Sequence, residues 1–294
     1  MAEAEVKASQ PNTPIVEWDD AHMQSSHANV VNATSWGHRA ASSAAHWGTM
    51  AAKAHSAGLI WMAPVAPQDV RPKNSVYWEA SNSEMFRKQW EGAINGGADW
   101  VQLITWNDYS EHSSVTPSTS SNYAFHDLTA YYTAWFKTGQ RPVIRRDAFY
   151  TFHRTHASGA APNPSLQSRR MNPSSSSDAP LNEVEMLAFL TSPATLEIEL
   201  AGKTHRRQAD KGVTSFKVPL APGTPLFRIV RDGQVVTSIR GEDIRNTIAV
   251  QDMLYHGDSS LRVNGPTPTV PVTDEPALPT YDEPVIPSCR VSID

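Results

Sequence analysis

The sequence predicts an α/β region followed by an all-β region, namely the C-terminal part of a (β/α)8 TIM barrel followed by a small β-sandwich domain. Three observations lead there. Strand-like apolar runs alternate with helix-length runs over about the first 140 residues, which implies a parallel sheet covered by helices. Short alternating runs separated by turn residues fill 181–263, as antiparallel strands do. A closed eight-unit barrel takes roughly 250 residues, so the three β/α units found here can form only its last part.

Residues 1 to about 28 show no period and include Pro11 and Pro14, so they read as a loop or frayed edge. Val30 to Trp36 reads as a strand, Ser42 to His55 as an Ala-rich helix ended by Gly58, and Leu59 to Val65 as a buried strand closed by Pro67. A helix follows over Ser83 to Ile94, stopped by Gly96-Gly97, then a strand from Trp100 to Trp106 and a helix from His126 to Lys137 stopped by Gly139. After Pro142 the pattern changes. Val143 to His153 is strand-like, and Ser165 to Pro180 is rich in Ser, Pro and Asn. Short strands are then expected at Val184 to Leu190, Thr195 to Leu200, Thr214 to Pro219, Leu226 to Arg231 and Gln234 to Ile239. Asp232-Gly233 between the last two is a hairpin signal. The expected division is therefore 1–140, a partial barrel with the candidate catalytic residues; 141–264, a β-sandwich domain with a Ser/Pro-rich loop near 165–180; and 265–294, a Pro-rich tail or linker.

Composition narrows the function classes. The net charge is −5, with cations scattered among carboxylates, so neither nucleic acid nor a membrane surface is an expected partner. The opening MAEAEVKASQ has no apolar core of a secretory signal, so the chain is expected to be cytosolic or to start downstream of its natural beginning. Cys289 is the single cysteine, which excludes an internal disulfide and a cysteine metal site. No His-Glu-x-x-His run, Gly-rich phosphate cradle or Gly-x-Ser-x-Gly elbow occurs, so no metal, no nucleotide cofactor and no serine nucleophile are expected. Nine tryptophans are many for this length. Indole faces stack on sugar rings, although packing is the default role for any one of them.

Asp108 and Glu111 stand three residues apart, just beyond the Trp100 to Trp106 strand, on the side where α/β sheets bind ligands. In a helical turn this spacing puts both carboxyls on one face. Glycosidic cleavage commonly uses two carboxyl groups, one protonating the leaving oxygen and one activating water or attacking the sugar. A capping acid and a solvated Glu would show the same spacing. Trp106 and Tyr109 bracket the pair with stacking surfaces, and Asn107 can bind hydroxyls, which makes the combination more specific than the spacing. His112 could bind a sugar hydroxyl or be structural, whereas His126 is expected to cap or pack. Trp36, Trp61 and Trp78 lie at or near strand ends, with one or two expected as sugar platforms. Trp90, Tyr131 and Trp135 sit at helical positions and are expected to pack.

The run Ile104-Thr105-Trp106-Asn107-Asp108-Tyr109-Ser110-Glu111 resembles the Trp-Asn-Asp-Tyr-Gly-Glu signature of glycoside hydrolase family 71, the endo-α-1,3-glucanases or mutanases. Trp61-Met62-Ala63-Pro64-Val65-Ala66-Pro67 is similar to that family's strand ending in Met-Pro-Val-Ser-Pro. His126-Asp127, Tyr131-Tyr132 and Phe136-Lys137-Thr138-Gly139 are similar to the helix after the signature. The resemblance runs on through Arg145, Asp147 and Phe152 to Arg154, then to Phe227-Arg228 and Val250-Gln251-Asp252, which resemble bacterial members. It implies hydrolysis of α-1,3-glucan with inversion and without cofactor, with Asp108 as general base and Glu111 as general acid. It also implies an extracellular or periplasmic place of action. Two positions depart from the signature: Ser110 stands for its glycine, and His112-Ser113-Ser114-Val115 for His-Tyr-Ile. The family's early strands close the barrel and add substrate contacts, so the resemblance leaves open whether a chain without them is active. Two alternatives stay open: an endo-mannosidase of family 99, whose related signature has Glu in place of Asp108, and a non-catalytic glycan-binding or structural fragment.

Overall fold

The computed structural model describes residues 39–262 together with Ile15–Glu17, Asn32–Thr34 and Trp36. The protein is a mixture of helix and sheet. Strand β1 (Ile15–Glu17) pairs in parallel with β2 (Asn32–Thr34), which corrects the expectation of a structureless start. Three residues, two of them apolar, are too few to show a period, and pairing of β1 rests on backbone bonds to β2. A 3-10 turn (Ser42–His46) then leads into helix α1 (Trp47–Ser56), and Gly58 supplies the left-handed φ of 73° at its end. Strand β3 (Ile60–Val65) continues the sheet beside β2.

The next segment was not expected to be ordered into strands. It forms the antiparallel pair β4 (Asp69–Arg71) and β5 (Val76–Trp78). Helix α2 (Glu84–Asn95) buries Met85, Phe86, Gln89, Trp90 and Ala93, one face of a 3.6-residue period. Strand β6 (Trp100–Leu103) closes the order β1-β2-β3-β6, all parallel, and stops three residues short of Trp106 because the chain turns away at Ile104. Helix α3 (Ala124–Thr138) begins two residues before His126 and ends at Gly139, φ 69°.

Strand β7 (Ala148–His153) opens the antiparallel part. In the Ser/Pro-rich loop, β8 (Asn172–Pro173) pairs with β5, and Ser176 and Ser177 bond Trp78 Nε1 and the Glu79 N–H at 3.0 and 2.8 Å. The loop is therefore laid against the β4–β5 pair. Then come β9 (Glu183–Leu190), β10 (Ala194–Leu200), β11 (Lys203–Ala209), β12 (Gly212–Pro219), β13 (Leu226–Arg231), β14 (Gln234–Arg240) and β15 (His256–Ser259). Asp232 and Gly233, both at positive φ, make the two-residue turn between β13 and β14. Strands β11 and β15 are additions to the expected set.

Two four-stranded sheets result, β12-β9-β7-β15 and β11-β10-β13-β14. Phe149, Met186, Leu196, Ile198, Phe216 and Phe227 belong to the core between them. The opposite face of the first sheet carries Tyr150, Phe152, Leu187 and Phe189 against Phe125, Leu128, Tyr131 and Trp135 of α3. That sheet is covered on both sides, so β7 is buried at every position. Among the described residues no helix is long and apolar enough to cross a membrane. The tail 265–294 lies outside the described residues.

Candidate functional site

The signature run leaves the carboxyl end of β6 as a closed loop. The Ile104 N–H still bonds the Val65 carbonyl at 2.8 Å, one step beyond the strand. Thr105 N–H to Ser113 O (2.7 Å), Val115 N–H to Thr105 O (3.0 Å) and Thr116 N–H to Trp106 O (3.0 Å) form the stem. Residues 107–112 project from it.

Asp108 organises the turn. Its N–H donates to Thr105 Oγ1 at 2.9 Å, and its Oδ1 accepts from the Ser110 N–H (2.9 Å), the Ser110 hydroxyl (2.7 Å) and the Glu111 N–H (3.0 Å). The Ser110 hydroxyl bond, aided by those backbone donors and by Arg71, holds the Asp108 carboxyl below its ordinary value against the opposing effect of burial. All three bonds fall on Oδ1. The left-handed residue of the loop is His112, φ 51°, so the serine at the glycine position needs no special backbone.

Glu111 faces β4. Its carbonyl accepts the Val70 N–H at 2.9 Å, and His112 Nδ1–H donates to the Val70 carbonyl at 2.9 Å, so the loop grips one strand residue from both sides. The Glu111 carboxylate meets Arg71 Nη2 at 2.7 Å. Arg71 also places Nε and Nη2 each 2.8 Å from the two oxygens of Asp69, which is fully buried. The Asp69 bond raises the Arg71 pKa further. Arg39 also pairs with Asp69, through Nε at Oδ2, and donates Nη1 to the Trp36 carbonyl at 2.6 Å; burial lowers its pKa against the pull of Asp69.

The aromatic candidates divide. Trp106 and Tyr109 are half exposed, at 51% and 53%, and Trp36 is 42% exposed. The Tyr109 hydroxyl is tied to Thr116 Oγ1 at 2.8 Å, and the Trp106 ring lies 6.4 Å from that of His126. Asn107 is exposed. Trp61 is a correction: it is fully buried with Trp47, Ala51, Ala54 and Ala93, because alternate β3 side chains point at the helices. The Trp61 indole is therefore not free for a sugar. Trp78 is half-buried, and the guanidinium groups of Arg71 (5.1 Å) and Arg39 (5.8 Å) lie over its ring.

The sequence reading missed Arg39, Asp69 and Arg71. The one available signal was Asp69 and Arg71 at i and i+2, neighbours on one face only if that stretch is extended. Among the described residues no three His, Cys, Asp or Glu side chains are grouped to hold a metal ion.

Comparison with known proteins fits this arrangement. The chain is 25% identical over 201 residues to a mutanase from Penicillium rubens, covering 63% of this chain and 44% of that protein. It is 24% identical over 213 residues to the glucan endo-1,3-alpha-glucosidase agn1 of Schizosaccharomyces pombe, covering 67% and 49%. It thus spans about half the length of these relatives. A solved family 99 endo-alpha-mannosidase from Bacteroides thetaiotaomicron overlaps 42% of this chain and 46% of its own, at 18% identity and a TM-score of 0.38, too little to carry weight. The model of glycosyl hydrolase family 71 matches residues 5–257, and the chain belongs to that family.

Proposed function

We infer that the chain is part of a glycosidase that cleaves α-1,3-glucan by inverting, two-carboxylate hydrolysis without a cofactor. The observation that carries this is the pairing of Asp108 and Glu111 on one turn beyond the carboxyl end of β6, beside the exposed rings of Trp106 and Tyr109. We read the parallel sheet and its helices, 1–140, as the C-terminal part of a (β/α)8 barrel. The two antiparallel sheets, within 141–264, are read as the accompanying β-sandwich domain. A hydrolase of insoluble polysaccharide acts outside the cytoplasm.

In this mechanism the turn fixes Asp108 through Oδ1 and leaves Oδ2 as the base that takes a proton from water. The lowered pKa keeps that base charged in mildly acidic solution. Water attacks the anomeric carbon as Glu111 gives its proton to the departing glycosidic oxygen, and the anomeric configuration inverts. Trp106, Tyr109 and Trp36 supply stacking faces, and Asn107 supplies hydrogen bonds to hydroxyls.

The test is reducing-sugar release from insoluble α-1,3-glucan, with α-1,4-glucan and α-mannan as controls, by this chain and by a version extended at its amino end. The expected result is release from α-1,3-glucan and from neither control by the extended version, with the β-anomer formed first; release by that version only marks this chain as a fragment. Asp108→Asn and Glu111→Gln should each lower turnover at least about 100-fold. Release from α-mannan instead would point to family 99 chemistry. Binding without cleavage by either version would favour a non-catalytic glycan-binding role.

A further inference from the structure

Arg71 is held more firmly than a surface arginine of its length. Two of its nitrogens grip the two oxygens of Asp69 at 2.8 Å, and Asp69 is fully buried. The Trp78 ring covers the guanidinium at 5.1 Å, and Trp78 is itself anchored by Nε1–H to Ser176. A planar guanidinium bonded along one edge and stacked on one face has little freedom left. The same Nη2 that meets Asp69 also lies 2.7 Å from Glu111 Oε2, so one nitrogen bridges the two carboxylates. Glu111 has no comparable lock of its own. Its backbone is fixed by Val70, but its side chain is 30% exposed and its carboxylate is directed by Arg71.

We propose that Arg71, fixed by Asp69 and Trp78, is the positioning residue for Glu111, aiming that carboxyl at the glycosidic oxygen. This rests on Glu111 being the general acid. A flexible glutamate pays rotamer entropy each time it reaches the productive geometry, and misplacement by about 1 Å costs about 100-fold in rate. The device is built from β4, β5 and the signature loop, and it explains why this loop is docked on Val70 by two hydrogen bonds. Arg39 pairs with the same Asp69 Oδ2 and holds the Trp36 carbonyl, so this buried carboxylate is also linked to a candidate sugar platform.

The test uses the active protein with two substrates, α-1,3-glucan and an α-glucosyl fluoride whose leaving group departs as fluoride without needing a proton. Arg71→Met should lower kcat on glucan about 100-fold with KM within about threefold, yet stay within about tenfold of the parent on the fluoride. Arg71→Lys keeps a charge over Asp69 but cannot grip two carboxylates in one plane; it should melt like the parent and give an intermediate kcat. Glu111→Gln should show the same split between substrates. If Glu111→Gln shows the split and both Arg71 variants cut glucan like the parent, the positioning role is overturned. Equal losses on both substrates in Arg71→Lys also overturn it, since the effect would then be structural. If Glu111→Gln itself cuts glucan normally, Glu111 is not the acid and the underlying reading fails instead.

Discussion

Arg154 Nη2 lies 2.9 Å from Glu79 Oε2, with the two side chains 1% and 0% exposed. Glu79 follows β5 and Arg154 follows β7, so the ion pair joins the segment that carries Asp69 and Arg71 to the first antiparallel sheet. Arg154 also bonds the carbonyls of Met253 and Leu181 and the Tyr255 hydroxyl, and Tyr255 donates to Glu79 Oε1. Removing one partner leaves the other charge buried and unpaired. Glu79→Leu should therefore destabilise the fold by about 3–5 kcal/mol, and adding Arg154→Met should recover part of that. Urea denaturation of the single and double variants measures both; a cost below about 1 kcal/mol in the single variant would show that the pair is not holding these parts together.

Gly96 and Gly97 look alike in sequence but do different work. Gly97 has φ 75°, which ends α2, whereas Gly96 has an ordinary φ of −81°. A Cβ on Gly96 would meet the Gly92 carbonyl oxygen at 2.4 Å and Gly48 of α1 at 2.8–2.9 Å. Gly96→Ala should cost about 1–3 kcal/mol by forcing the two helices apart. Differential scanning calorimetry would see this as a lower Tm, and an unchanged Tm would mean the helices do not approach this closely.

Two histidines predict a stability maximum near neutral pH. Burial lowers the His153 pKa to about 4. Burial also opposes charge on His256, but hydrogen bonds to Asp252 and Glu242 outweigh it and raise the pKa to about 9. The unfolded values are about 6.5. Stability from His256 is present below the unfolded value and is lost as pH rises through about 9; stability from a neutral His153 is lost as pH falls from the unfolded value toward about 4. Tm should fall on both sides of neutrality, and His256→Gln should flatten the alkaline limb. A Tm that climbs between pH 7 and about 9 would contradict the His256 assignment.

Trp106 and Trp61 should respond oppositely. Trp106→Ala should leave stability within about 0.5 kcal/mol and raise KM for glucan, because the ring is half exposed beside the carboxylate pair. Trp61→Ala should cost about 3–5 kcal/mol, because its indole fills the space between β3, α1 and α2. Thermal melting together with steady-state kinetics separates the two effects; a KM change without destabilisation in Trp61→Ala would place that ring at the substrate after all.

The sequence by itself determined what is local. The helices α1, α2 and α3, the strands β3 and β6, and the Asp232-Gly233 hairpin are written in 3.6-residue and two-residue periods and in glycines at left-handed positions. Asp108 and Glu111 could be singled out as candidates because the run from Trp106 to Glu111 forms a motif. Strands β4, β8 and β11 were not, since they are short or polar and their pairing depends on backbone groups that every residue has. The tertiary structure alone decided that Trp61 faces helices and Trp78 faces arginines, because side-chain direction follows the register of a strand against its neighbours. It alone joined Arg71 to Glu111, forty residues apart: a charge pair needs only two side chains brought together by the fold, and that leaves no period in the chain for a sequence to display.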